Sequence, residues 1–182
     1  MSKSGLILPY EGVVPTIDSS VFIAPGATVV GDTTIGPESS IWHNTVVRGD
    51  VHEIRIGAGT NIQDGSVVHV TSGKFGAYIG DGITIGHMAT IHACALRDGC
   101  FIGMSATVMD GAVVEERAMV AAGALVAPGK VVKSGELWAG VPAKCIRRLS
   151  DADFEDMSKN APHYVALAKT YLDAGVGRVS QQ

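Results

Sequence analysis

An aliphatic residue returns at every sixth position of this chain almost without break from Ile17 to Val132. The series reads Ile17, Ile23, Val29, Ile35, Ile41, Val47, then Ile56, Ile62, Val68, then Ile79, Ile85, Ile91. It closes with Leu96, Ile102, Val108, Val114, Val120, Val126 and Val132. Four residues after most of these stands something small, such as Ala27, Thr33, Ser39, Thr45, Thr60, Ser66, Ala89, Ala95, Ala106 or Ala112. A period of six matches neither the 3.6-residue helix nor the two-residue alternation of a strand. It matches a solenoid in which each hexad forms one flat side of a triangular prism.

Composition agrees with that narrow core. Hydrophobic residues make up 46% of the 182 residues but aromatic ones only 5%, and glycine occurs 23 times. Glycine and Asp-Gly steps (Gly31-Asp32, Asp64-Gly65, Asp81-Gly82, Asp98-Gly99, Asp110-Gly111) mark corners, because both residues tolerate left-handed backbone. Residues 1–149 are expected to hold an N-terminal cap, the solenoid and an exit segment, GELWAGVPAKCIRRL. Residues 150–182 are expected to be helical, with Ser150 as N-cap and Asp151 and Asp153 in the first turn. Pro162 predicts a kink or break, followed by a second helical run carrying Tyr164, Leu167, Ala168, Tyr171 and Leu172 on one face, and a frayed tail after Gly175.

A formal charge of −4 and a pI near 5.8 exclude a basic nucleic-acid footprint. No run approaches the ~18 apolar residues of a membrane span, and the N-terminus does not read as a signal peptide. Three cysteines (Cys94, Cys100, Cys145) without CxxC spacing read as small core or corner fillers in a cytoplasmic protein, with neither a disulfide framework nor a cysteine metal site.

Two hexads are interrupted, by three extra residues in RGDVHEIR and five in TSGKFGAY, and both predict corner loops. One hexad, from Ile91 to Leu96, is a residue short. Counting sides instead of residues puts Ile91 one full coil beyond Val68. His69 and His92, each following its aliphatic residue by one, should therefore stack on adjacent coils about 4.7–4.9 Å apart. His87 belongs one side earlier and points away from that pair within a single chain. In a homotrimer the His87 side of one copy can meet the stacked pair of the next. Three imidazoles and an open position form the ligand set of a catalytic zinc. Iron and cobalt suit the same ligands, so Fe²⁺ and Co²⁺ are alternatives to Zn²⁺. His43, His52 and His163 read as ordinary surface residues.

The runs RGDVHEIRIGAGTNIQDGSVVHV (48–70), IGHMATIHAC (85–94) and GELWAGVPAK (135–144) resemble the γ-class carbonic anhydrase family across nearly the whole chain. The resemblance implies an all-β left-handed parallel β-helix of hexapeptide repeats with a C-terminal α-helix. It also implies a homotrimer with metal held at its subunit interfaces by His69, His87 and His92, and reversible hydration of CO₂ to bicarbonate. Arg48 and Asp50 match an interface ion-pair element, with Asp64 the carboxylate meeting Arg48 across the interface. Gln63 matches the side chain that hydrogen-bonds metal-bound water or hydroxide, Asn61 a polar residue of the same pocket, and Tyr164 a helix-borne tyrosine that reaches it. The segment TSGKFGAY has no carboxylate where one subclass carries a long acidic proton-shuttling loop, and Val51 stands where that subclass has glutamate. This places the chain in the loop-less branch, where some members lack detectable hydratase activity and His52, Glu53 or buffer must carry the proton. An acyl-CoA-dependent hexapeptide acyltransferase, a thioesterase, and a catalytically silent trimeric metal- or partner-binding protein are the alternatives.

Overall fold

The structure is a computed structural model that describes residues 3–178. It is a left-handed parallel β-solenoid of about seven turns with a single C-terminal helix. One face stacks Phe22–Ile23, Ser40–Ile41, Asn61–Ile62, Thr84–Ile85, Phe101–Ile102 and Met119–Val120 in parallel register. A second stacks Val46–Val47, Val67–His69, Thr90–His92, Thr107–Val108 and Leu125–Val126. The third stacks Ile54–Ile56, Ala77–Ile79, Ala95–Leu96, Val113–Val114 and Val131–Val132.

From Ile23 to Val132 every hexad aliphatic is at most 3% exposed, so the six-residue period is the core itself. The small residues beside them line the corners. On the earlier coils several are hydroxylated and donate to a carbonyl of the next coil: Ser39 to Gly57 at 2.6 Å, Thr45 to Gln63 at 2.9 Å and Thr60 to Gly80 at 2.7 Å, whereas Thr33 donates back to Val30 at 3.0 Å. On later coils alanine suffices. In the short hexad the small buried role passes to Cys94, and Ala95 faces partly outward.

Four local expectations change. The three extra residues of RGDVHEIR form no corner loop: Val46–Ile56 is one continuous strand, and a register shift against Gly31–Thr33 absorbs them. Pro162 does not break the helix, which runs unbroken from Asp151 to Asp173. Proline removes only the donor that would serve the Ser158 carbonyl, one bond in a 23-residue helix whose apolar stripe is packed against the prism. The chain beyond Gly175 is not frayed as far as it is described. Val176 packs in the aromatic cluster, and the Gly177 backbone accepts from Ile23 at 3.0 Å and donates to Lys3 at 2.6 Å; residues 179–182 lie outside the described residues. Cys145 is exposed on the exit hairpin instead of filling the core, whereas Cys94 and Cys100 are buried.

The helix starts as the sequence suggests. Ser150 and Asp153 form a reciprocal capping box, and Arg147 holds the Asp153 carboxylate through two nitrogens at 2.6 and 2.9 Å. Its apolar stripe (Tyr164, Leu167, Ala168, Tyr171, Leu172) lies on Phe22, Ala24 and Trp42 of the same chain's first face. Trp42 meets Tyr164 and Tyr171 edge-on at 5.3 and 5.7 Å between ring centroids. The helix thereby returns from the last coils to the first and places Tyr164 beside the corner that carries Asp64 and His87.

Candidate metal centre

The second prism face carries a polar group at each edge. At its trailing edge, Val67–His69 pairs with Thr90–His92 so that His69 and His92 are direct register partners. Their rings lie 5.2 Å apart, and His69 Nδ1 faces His92 Nε2 at 3.2 Å. The outer nitrogens each meet a carboxylate: His69 Nε2 lies 3.1 Å from Asp50 Oδ1, and His92 Nδ1 lies 2.7 Å from Asp110 Oδ1. An ionised carboxylate only accepts, so those outer nitrogens carry the protons. The two nitrogens facing each other then both present lone pairs in the neutral rings. That arrangement is repulsive without a cation between them. Tetrahedral zinc with Zn–N bonds near 2.0–2.1 Å sets its ligand nitrogens about 3.3 Å apart, so the pair fits two positions of such a site.

Both carboxylates are anchored in turn. Asp50 pairs with Arg48, and Asp110 accepts from the Thr71 hydroxyl. Partial burial pushes the Asp50 carboxyl up, but Arg48 and His69 together outweigh it and hold it below the usual carboxylate range. The Thr71 hydroxyl, with His92 adding to it, does the same for Asp110.

At the leading edge, His87 Nδ1 lies 2.9 Å from Asp64 Oδ2. One residue before Asp64, Gln63 is nearly buried, and its amide donates to Asn61 Oδ1 at 3.1 Å. Asn61 is itself fixed, donating to the Ile83 carbonyl at 3.2 Å and to Thr84 Oγ1 at 2.9 Å. Those two acceptors require the Asn61 nitrogen on their side and its oxygen towards Gln63. One N–H of Gln63 is thereby committed to Asn61, which fixes the orientation of the amide and of its carbonyl oxygen. Burial raises the Tyr164 phenol above its ordinary value, and the Asp64 charge adds to that.

The sequence-predicted residues thus fall into two half-sites on one chain. The trailing edge gathers His69, His92, Asp50 and Arg48; the leading edge gathers His87, Asp64, Gln63 and Asn61, with Tyr164 beside them. Among the described residues no three metal-binding groups converge within a single chain. Arg48 pairs with Asp50 and Asp64 with His87 inside the chain. Of the shuttle candidates, Glu53 is held by Arg55 at 2.6 Å and accepts from Tyr78 at 2.8 Å. His52 lines a cleft of about 180 Å³ with Tyr10, Glu11, Asp32 and Asp50. Thr71 and Asp110 were not singled out as site residues by spacing. The one signal for Asp110 is its place in an Asp-Gly corner one coil above His92.

Comparison with known proteins agrees with this geometry. Residues 15–49 match the family described as bacterial transferase hexapeptide (six repeats). Gamma carbonic anhydrase 2, mitochondrial, of Arabidopsis thaliana is 49% identical over 162 residues, 86% of this chain, and the chain spans only 58% of that protein's length. Carbonic anhydrase of Geobacillus kaustophilus is 45% identical over 166 residues, 91% of each protein. Among solved structures, a hexapeptide transferase family protein from Anaplasma phagocytophilum superposes with a TM-score of 0.88 at 49% identity, covering 91% of this chain and 98% of that one. A solenoid with three histidines each paired to an aspartate, and full-length likeness to a named carbonic anhydrase, lead to one assignment: the chain belongs to the γ-carbonic anhydrase family.

Proposed function

We propose that the protein is a metal-dependent carbonic anhydrase that interconverts CO₂ and bicarbonate as a homotrimer. His69 and His92 of one copy and His87 of the next would hold Zn²⁺, or Fe²⁺ or Co²⁺ in its place. The observation that carries the proposal is the pairing of each of these three histidines, and of none of His43, His52 or His163, with its own carboxylate at 2.7–3.1 Å. Metal-ligating histidines characteristically donate their second nitrogen in this way. The half-sites lie at opposite edges of one face, so a threefold packing of that face sets a leading edge against a trailing edge three times. Met88 and Met104 at the leading corner are 64% and 55% exposed, and Val67 on the face is 39% exposed, apolar area that such packing would cover.

When bound, the cation would supply a hydroxide nucleophile at neutral pH by lowering the pKa of water from 15.7 towards about 7. The chain's own residues orient the reaction. The carbonyl oxygen of Gln63, fixed by Asn61, accepts the hydrogen of a hydroxyl and leaves its lone pair directed at the carbon of CO₂. Asp50, Asp64 and Asp110 keep the ligand rings in the tautomer that offers a lone pair. Three unpaired cysteines fit a reducing compartment, and cytoplasmic placement belongs to this proposal.

The test pairs elemental analysis of anaerobically purified protein with stopped-flow CO₂ hydration. About one divalent metal per chain and hydration that follows metal content are expected; metal-replete protein without hydration would refute the enzymatic reading. Sharing between copies is tested by co-folding His87→Ala with His69→Ala chains. Each variant alone should bind no metal, whereas mixed trimers should recover sites. Verified hybrids that stay metal-free would refute it.

A further inference from the structure

The five-residue insertion TSGKF has no carboxylate and nothing else that could move a proton well, yet it is firmly placed. Thr71 and Phe75 close it as a small antiparallel turn, with Thr71 N donating to Phe75 O at 3.0 Å. From there it reaches across two coils. The Thr71 hydroxyl donates to Asp110 Oδ2, 39 residues further along the chain. The Phe75 ring covers Gly111, where an added β-carbon would meet it at 3.4 Å.

Asp110 does a different task from the corner aspartates Asp81 and Asp98. Asp81 accepts the backbone N–H of Ala58 at 2.7 Å, and Asp98 accepts that of Asp81 at 2.9 Å, so both tie one coil to the next. Asp110 instead directs one oxygen to Thr71 and the other to His92 Nδ1 at 2.7 Å. Two partners on opposite oxygens fix the plane of a carboxylate that could otherwise rotate about its χ2. A fixed plane fixes both the tautomer and the rotation of the imidazole it receives.

We propose that the insertion is a bracket for the metal site, in which Thr71 and Asp110 are positioning residues that hold His92 Nε2 towards the cation through a Thr71–Asp110–His92 hydrogen-bonded chain. It rests on the reading of His92 as a metal ligand.

The test uses the full chain in its assembled form and reads Zn²⁺ affinity by competition with a chromophoric chelator. It also reads the His92 imidazole tautomer by ¹⁵N NMR of the metal-free protein, which a merely structural residue would not move. Thr71→Val and Asp110→Ala should each weaken Zn²⁺ binding about 10–100-fold and mix the His92 tautomers. Thr71→Ser, which keeps the hydroxyl, should retain both properties. Asp98→Ala removes a corner aspartate that touches no histidine and should leave affinity within about twofold. Circular dichroism confirms that each variant is folded; should Thr71→Val fail to fold, Asp110→Ala against Asp98→Ala decides. Unchanged affinity and tautomer in Asp110→Ala and Thr71→Val, or an equal loss in Asp98→Ala, would overturn the bracket. Full Zn²⁺ binding by His92→Ala would instead overturn the ligand assignment beneath it.

Discussion

In the proposed mechanism Asn61 acts only through Gln63, whose amide it accepts, and Asn61→Ala tests that claim. Its side chain makes three hydrogen bonds: to the Ile83 carbonyl, to Thr84 Oγ1 and from Gln63 Nε2. Ile83 keeps a partner after truncation, because its carbonyl also accepts the Asn61 backbone N–H at 2.9 Å. The main cost falls on the Gln63 nitrogen, which loses its acceptor in a residue only 5% exposed. Leaving one such group unpaired costs about 1–3 kcal/mol. At a sensitivity of roughly 2–4 °C per kcal/mol for a chain of this size, a midpoint near 2 kcal/mol lowers Tm by about 4–8 °C. Catalysis should suffer separately. An unpinned amide can present nitrogen where oxygen is needed, and a loss of about tenfold in kcat/KM is expected, against the 10²–10³ typical of deleting a preorganised hydrogen-bonding group outright. Metal content should not change, since Asn61 touches none of the three ligand histidines or their carboxylates. The decisive assay is a double-mutant cycle on stopped-flow CO₂ hydration. Gln63→Ala and Asn61→Ala/Gln63→Ala should show the same kcat/KM, because the second mutation has nothing left to act through. Multiplying losses would refute the pinning of Gln63 by Asn61.

Burial pushes the Cys94 thiol up to about 12 and raises that of Cys100 as well, while Cys145 is exposed. An aromatic disulfide reagent should therefore titrate one thiol per native chain rapidly and all three only in denaturant; two fast thiols would contradict the packing of the short hexad. The Arg147 guanidinium, with the Ser150 hydroxyl and backbone N–H, holds the Asp153 carboxyl well below its ordinary value of 3.8. A lowered folded value means stability that is fully present above about pH 4 and is lost as pH falls through the folded value. The gap in urea midpoint between wild type and Asp153→Asn should accordingly be constant from pH 7 to about pH 5 and shrink below pH 4. A gap independent of pH would show that the capping carboxylate contributes through shape and not charge.

The prism was legible because its signal is one-dimensional. A core of single aliphatics at fixed intervals is written directly into spacing, and side counting across the insertions sets His69 against His92, as the paired strands do. What spacing could not show is how the chain absorbs irregularity. The RGDVHEIR insertion is taken up within a strand because Gly31, at φ +69°, turns where its backbone comes so close to Gly49 that an added β-carbon would meet the Gly49 carbonyl oxygen at 2.3 Å, a property of paired backbones and not of either segment alone. Met88, Ser105 and Arg117 turn corners at φ near +60°, 58° and 54° without glycine, so corner chemistry read from glycine alone misses the corner next to His87. The carboxylate anchors were hidden for a related reason. Asp50 lies 19 residues before His69 and Asp110 lies 18 after His92, and the insertions alter the register between coils, so no fixed offset links ligand to anchor. Since each anchor depends on which coil lies above which, the hexads specify a site only as far as they specify registration. A one-residue deletion in TSGKF should therefore leave the solenoid folded by circular dichroism while separating Thr71 from Asp110 and lowering metal affinity. An unfolded deletion variant would show that this insertion stabilises the prism itself.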